Sequence, residues 1–216
     1  MYSVAIDGPA GSGKSTIAKL IAHKLNISYI DTGAMYRAIA LKTLRQGDLQ
    51  EQSLQQLLED TRIDYDRGKI YLDGRDVSQD IRGDEVSAQA SKISKNPALR
   101  EYLVGIQQQI AQKRSVVMEG RDIGTVVLPR AKYKFYLTAD VDTRAKRRYE
   151  QLLAKGTKTT LEEVKASIEQ RDDNDINREH SPLKRAEDAI LVDNTHMDLH
   201  QTLDYILDKV RGENAL

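Results

Sequence analysis

Val4 and Ile6 alternate with their neighbours near the start of the chain, which is the period of a short strand. After a gap rich in glycine, Ile17, Leu20, Ile21 and Leu25 recur at helical spacing, in a pattern that should fade near Asn26. Ser28-Tyr29-Ile30 then makes a short strand, and Gly33 to Leu44 has the spacing of a second helix. Ser115 to Met118, Lys134 to Leu137 and Ile190 to Val192 are apolar runs of strand length, the last followed by a helical pattern from Leu199 to Val210. Strands that alternate with helices predict an α/β fold, a central five-stranded parallel sheet with helices on both faces. The first strand should run in the middle, because ligands in such sheets bind where the strand order reverses.

Two segments break the rhythm. Thr61 to Asp66 and Lys69 to Asp73 read as two short strands around an Arg67-Gly68 turn, with Ile63, Tyr65, Ile70 and Leu72 as their apolar positions. They predict a small antiparallel insert spanning about residues 60–93. Asp142 to Lys155 and Leu161 to Arg171 are helical and very polar, separated by Gly156-Thr157-Lys158-Thr159. Such a helical hairpin is suited to act as a short lid, expected over residues 152–178. The 216 residues fit one domain carrying both features.

Charge alters the picture mainly by exclusion. The chain has 33 Lys and Arg against 33 Asp and Glu, so no overall basic field is present to hold a nucleic acid polymer or an anionic membrane. It has no cysteine, which removes disulfides and thiolate metal sites and is compatible with a reducing compartment. The N-terminus lacks a basic n-region and a long apolar run, and nowhere do 18 apolar residues follow one another. A cytoplasmic protein is expected, with a monomer as the default given few exposed apolar runs.

The gap between the first strand and helix is Gly8-Pro9-Ala10-Gly11-Ser12-Gly13-Lys14-Ser15-Thr16, which fills the G-x4-G-K-[ST] pattern of a P-loop. Glycines there let backbone N–H groups turn inward, and the helix that follows presents its positive end to phosphates. Lys14 should reach the β- and γ-phosphates of a nucleoside triphosphate and Ser15 the Mg²⁺.

That motif leaves the reaction open, and the second substrate must be read elsewhere. Asp31-Thr32-Gly33-Ala34-Met35-Tyr36-Arg37 follows the second strand, so that Asp31 or Thr32 can cap a helix bearing Tyr36 and Arg37 on its first turns. Glu119-Gly120-Arg121-Asp122 follows the strand ending at Met118: Arg121 suits a phosphate, Asp122 can accept from an amino group, and Glu119 can order Mg²⁺ waters. The run from Arg171 to Arg178 is almost wholly polar, as a solvated helix end would be, yet arginines near a lid also suit a transferring phosphoryl group. Arg144, Arg147 and Arg148 share a helix face with the same two readings. His23, His180, His196 and His200 lack metal-ligand spacing, and the tyrosines form no stacking platform for nucleic acid.

Together the P-loop, Asp-Thr-Gly-Ala-Met-Tyr-Arg, Gly-Arg-Asp-Ile-Gly-Thr-Val-Val and Arg-Asp-Asp-x-Asp-x-x-Arg resemble the bacterial cytidylate kinase family, in order and over nearly the whole chain. The resemblance implies the nucleoside-monophosphate kinase version of the P-loop NTPase fold, with the insert in the monophosphate-binding region. It implies phosphorylation of CMP and dCMP by ATP with Mg²⁺, in pyrimidine nucleotide metabolism. It further implies that Thr32, Tyr36 and Arg37 line the CMP site, with Arg37 and Arg121 on its phosphate. Ser91 and Arg100 would read cytosine with Asp122, Arg171 and Asp175 would address the ribose, and Arg178 the monophosphate. Lys14, Arg121, Arg148 and Arg178 are then the expected catalytic cations. The alternatives are a kinase of the same architecture for UMP, dTMP or a non-nucleotide acceptor, a nucleotide-dependent switch, and an interaction protein with a degenerate loop. The switch lacks its Asn-Lys-x-Asp guanine motif here, and intact Lys14 and Ser15 count against the interaction protein.

Overall fold

The computed structural model describes residues 1–47, 51–66 and 68–212. Strand β1 (Ser3–Asp7) leads through the P-loop into α1 (Lys14–Leu25), β2 (Ser28–Asp31), α2 (Thr32–Gln46) and α3 (Glu51–Glu59). Three short strands follow, β3 (Ile63–Asp66), β4 (Lys69–Leu72) and β5 (Arg75–Asp76), then a 3₁₀ turn at Asp80–Arg82, α4 (Asp84–Ile93) and α5 (Pro97–Lys113). The chain continues with β6 (Val116–Gly120), a π-turn at Ile123–Val127, β7 (Tyr133–Thr138), α6 (Val141–Leu153), α7 (Leu161–Ile176), β8 (Ile190–Asp193) and α8 (Leu199–Gly212). Among the described residues no helix is long and apolar enough to cross a membrane.

Five parallel strands form the main sheet in the order β2-β6-β1-β7-β8, with β1 at the centre as predicted. Alternation along β1 separates two cores. Val4 and Ile6 pack with Ile17 and Ile21 of α1 and Leu203, Ile206 and Leu207 of α8. Ala5 faces the opposite side, where Met35, Ala38 and Ile39 of α2 and Leu99 and Leu103 of α5 close the layer. Two-sided burial explains why these strands read as apolar runs.

Local chemistry sets the element ends. The Asp31 carboxylate accepts the Ala34 N–H at 2.9 Å, so α2 starts at Thr32, one residue before its hydrophobic spacing begins. Asn26 stops α1 in the left-handed conformation (φ 51°), and a capping box between Thr160 and Glu163 starts α7. Helix α7 runs on to Ile176, so the polar segment after Arg171 is largely helical, with Asp172 buried in it.

The insert is an antiparallel sheet, β3-β4-β5, in which Ile63 pairs with Leu72 and Tyr65 with Ile70. Its third strand, β5, and helices α3, α4 and α5 add to the elements that hydrophobic spacing predicts. Arg67, placed by the sequence in the hairpin turn, lies outside the described residues.

Candidate active site

One open cleft of about 1120 Å³ runs across the carboxyl ends of β1, β2 and β6, beneath α6 and α7. Ala10, Gly11, Gly13, Lys14, Ser15 and Thr16 line it. On the other side it is walled by Thr32, Tyr36, Arg37, Ser91, Arg100, Glu119, Arg121 and Asp122, with Arg148 of α6, Arg171 and Asp175 of α7, and Arg178 just after it. Gly8, Pro9 and Ser12 are not on its wall. A Cβ on Gly8 would sit 2.0 Å from the Leu137 carbonyl oxygen, and its φ of +150° suits glycine, so Gly8 serves the approach of the loop to β7. The Pro9 carbonyl accepts Lys14 Nζ at 2.7 Å and Ser12 Oγ at 3.1 Å, inside the loop.

Lys14 is buried among cations and carboxylates. Burial and the neighbouring Arg121 guanidinium lower its ammonium from the usual lysine range, against Glu119 and Asp175. Arg171 is pulled down to about 10 by burial and by Arg121, with Arg37 and Arg148 adding to the effect. Arg37, Arg121, Arg148, Arg171 and Lys14 thus share one field, which a polyanion would relieve. The Arg148 side chain, on α6, makes no hydrogen bond among the described residues. Its two companions on α6 are held elsewhere: Arg147 donates to Asn194 Oδ1 (2.9 Å) and to its carbonyl (2.8 Å), and Arg144 is buried against the P-loop and α7. Neither is the solvated face that their spacing also allowed.

Across the cleft, Arg100 NH2 meets Asp122 Oδ2 at 2.5 Å, both side chains nearly inaccessible at 5% and 8%. Arg100 also donates to the Ser94 carbonyl (3.1 Å) and lies over the Tyr36 ring at 5.4 Å. Burial, first of all, pushes the Tyr36 phenol up to about 12. Arg178 NH2 is 3.7 Å from the second Asp122 oxygen, while its Nε donates to the Ser181 carbonyl at 2.6 Å. Arg121 Nε and Asp175 Oδ2 pair at 2.7 Å, and that guanidinium, with Arg178 and Arg171, keeps the Asp175 carboxyl low against the opposing effect of burial. Two residues expected on the substrate therefore hold each other. Arg37 NH2 is 2.9 Å from Asp31 Oδ2, which Arg82 of the 3₁₀ turn approaches to 3.6 Å. The Thr32 hydroxyl donates to the Glu119 carbonyl at 2.7 Å, leaving only its lone pairs for the cleft. Ser91, in the last turn of α4, lines the wall and is half-buried.

Ser15 Oγ and Glu119 Oε1 are 2.5 Å apart, and the Tyr29 hydroxyl donates to the same carboxylate oxygen at 3.1 Å. Mg²⁺ takes few protein oxygens and keeps waters and phosphates in its shell, so one hydroxyl beside one carboxylate at a P-loop fits it. No group of three or more His, Cys, Asp or Glu residues suited to a protein-only metal cage occurs among the described residues.

Several residues here received no role from the sequence. Asp7 and Asp172 are buried carboxylates that bind backbone, and Asn194 Nδ2 donates to the Ser12 carbonyl at 3.1 Å. The only sequence signal for Asp7 is a charge at the end of an otherwise apolar strand; Asp172 stands inside the Arg-Asp-Asp-x-Asp-x-x-Arg motif without a role of its own, and for Asn194 there is none beyond residue type.

The sequence model of the cytidylate kinase family matches residues 4–212. A cytidylate kinase of Thermosipho melanesiensis is 45% identical over 213 residues, covering 99% of this chain and 98% of its own. A cytidylate kinase of Acholeplasma laidlawii is 47% identical over 216 residues, or 100% and 97% of the two chains. A crystal structure of shikimate kinase from Bacteroides thetaiotaomicron is similar with a TM-score of 0.50 over 100% of this chain and 99% of that one, and at 14% identity it speaks to the fold alone. With a cleft joining a P-loop to an arginine-rich wall and a match over nearly its full length, this chain belongs to the cytidylate kinase family.

Proposed function

We propose that this kinase transfers the γ-phosphoryl group of ATP to CMP or dCMP, giving ADP and CDP or dCDP. One observation carries the reading at the level of the site: Arg37 Nε, Arg100 Nε and Arg178 NH2, all on cleft-lining residues, are buried without a hydrogen-bond partner. Buried guanidinium donors are expected to be satisfied, and a nucleoside monophosphate supplies the anionic and polar acceptors that they lack.

In this reading the P-loop amides and Lys14 bind the triphosphate, and Arg37, Arg121 and Arg178 bind the acceptor phosphate. Asp122, backed by Arg100 and beside Ser91, accepts from the cytosine amino group, where uracil would present a carbonyl oxygen. Asp175 and Arg171 address the ribose, and Tyr36 borders the base. The acceptor phosphate is already anionic near neutral pH, so no general base is required, and in-line attack on the γ-phosphorus needs positioning and charge. Lys14, Arg121, Arg148 and Arg178 supply that charge around the transferring group. Mg²⁺, held by Ser15 and through water by Glu119, would neutralise phosphate oxygens. Residues 152–178 act as the lid that excludes water, and residues 60–93 as the monophosphate-binding insert. The balanced charge supports small nucleotides as partners rather than a nucleic acid polymer or membrane, and with few exposed apolar runs it supports a monomer; a cytoplasmic location goes with this reading.

A coupled nucleoside-diphosphate assay with ATP and Mg²⁺ tests this against CMP, dCMP, UMP, dTMP, AMP and GMP, beside an acceptor-free control. Fast turnover confined to CMP and dCMP is expected. Equal rates on UMP, or hydrolysis indifferent to acceptor, would overturn the acceptor assignment.

A further inference from the structure

Two buried carboxylates stand beside one nucleotide's site while binding the backbone of the other's. Asp7 ends β1, directly before Gly8 of the P-loop. Its Oδ1 accepts the Ile123 N–H at 2.8 Å and its Oδ2 the Gly124 N–H at 2.7 Å. These amides begin the π-turn that follows Asp122, whose carbonyl accepts from Val127 N–H at 3.1 Å. Asp172 follows Arg171 in α7. Its Oδ1 accepts the Ala10 N–H at 2.9 Å, and its Oδ2 meets Arg144 NH1 at 2.5 Å. The same guanidinium nitrogen donates to the Ala10 carbonyl at 2.9 Å, so helices α6 and α7 together hold Ala10 by both its N–H and its C=O. The Ala10 methyl group packs with Ala145, Val164 and Ile168 in the small core between α6 and α7.

We propose that Asp7 and Asp172 are crossed positioning residues: Asp7 fixes the acceptor's base-reading loop from the donor strand, and Asp172 fixes the P-loop from the lid. The proposal rests on the assignment of the two nucleotides to the two sides of the cleft made above. A carboxylate that spends both oxygens on charge-assisted bonds sets the orientation of the groups it holds, not merely their proximity. If either residue served only its own segment, Asp7 would matter to the P-loop it adjoins and Asp172 to the acceptor contacts at Arg171 and Asp175. Crossing reverses both expectations, which makes it visible in binding.

The experiment is calorimetric titration of wild type, Asp7→Asn and Asp172→Asn with CMP, UMP and a non-hydrolysable ATP analogue, each alone with Mg²⁺ present, after a thermal melt of each protein. Each variant keeps one acceptor oxygen and loses the charge. Asp7→Asn is expected to weaken CMP on the order of tenfold and to narrow the CMP to UMP preference, leaving the ATP analogue within about twofold. Asp172→Asn is expected to weaken the ATP analogue on the order of tenfold and to leave CMP within about twofold. Should an Asn variant be recovered unfolded, Asp7→Glu or Asp172→Glu, which keeps the charge and displaces it by one methylene, is titrated in its place with the same split expected. Variants that weaken the nucleotide of their own segment, or both nucleotides equally, overturn the crossing while the functional reading stands. Wild type that binds neither CMP nor the ATP analogue would overturn both.

Discussion

Asp122→Asn tests the proposed base-reading role most directly, because it changes one charge and almost no volume. In the native protein Asp122 faces Arg100 at 2.5 Å and Arg178 at 3.7 Å. The amide oxygen can still accept from Arg100, but its NH₂ then points at a second guanidinium, and two buried cations lose their counter-charge. Breaking a buried pair costs roughly 3–5 kcal/mol, and the retained hydrogen bond together with the Ser94 carbonyl on Arg100 places this variant near the lower bound. Selectivity should change by the worth of one charge-assisted bond to the cytosine amino group. At about 1.5–3 kcal/mol, the CMP to UMP ratio of kcat/KM falls roughly 10- to 150-fold. The assay is initial rate against CMP and UMP at saturating ATP, on protein first shown to melt cooperatively. A folded variant in which both acceptors lose kcat/KM equally would refute the reasoning, since Asp122 would then only buttress Arg100.

Other variants probe the donor side and the frame. Lys14→Ala should lower kcat on the order of a thousandfold, while calorimetry still detects CMP binding; intact turnover would remove Lys14 from the mechanism. Gly8→Ala forces a Cβ to within 2.0 Å of the Leu137 oxygen at φ +150°, and should cost on the order of 2–3 kcal/mol, read as a fall in Tm of at least about 5 °C. Burial pushes the Asp7 carboxyl from 3.8 up to about 6, against its bonds to the Gly124 and Ile123 N–H groups. The native state therefore keeps a proton that the unfolded chain releases, so this group's contribution to stability falls as pH rises from about 4 to 6, by on the order of 3 kcal/mol in all. Asn cannot titrate, so denaturant melts should show Asp7→Asn gaining on wild type across that window; a constant difference would mean that Asp7 is solvated.

The inner strands of the main sheet were legible because burial on both faces leaves apolar runs, the edge strand β8 by its apolar run alone since Leu191 is exposed, and the central place of β1 followed from where a P-loop must bind. The P-loop, Asp31 to Arg37 and Gly120 to Asp122 were legible as motifs, since each joins a strand end to chemistry. Helix α5 was not, because its buried face is partly polar, with Arg100 and Gln107 inside it, and α4 was not, because it buries only Val86 and Ala90, too few apolar positions to mark a helical face. The polarity of Arg171 to Arg178 suggested solvent equally well, until the fold brought Arg121 and Asp122 against Asp175 and Arg178. Pairings of this kind join residues far apart in the chain, as Arg144 with Asp172 or Asp7 with Gly124 do, and no local spacing carries them.

The packing of the three-stranded insert bears on any attempt to pare the protein down. Ile63, Tyr65, Ile70 and Leu72 belong to the same continuous apolar cluster as Met35, Ala38 and Ile39 of α2 and Ile30 and Met118 of the main sheet. Excising residues 60–93 to leave a minimal kinase would strip one side of α2 to water, and the truncated protein would aggregate before it could report on catalysis. Shortening this chain, whether by design or by descent, would need a repacked α2 alongside the deletion.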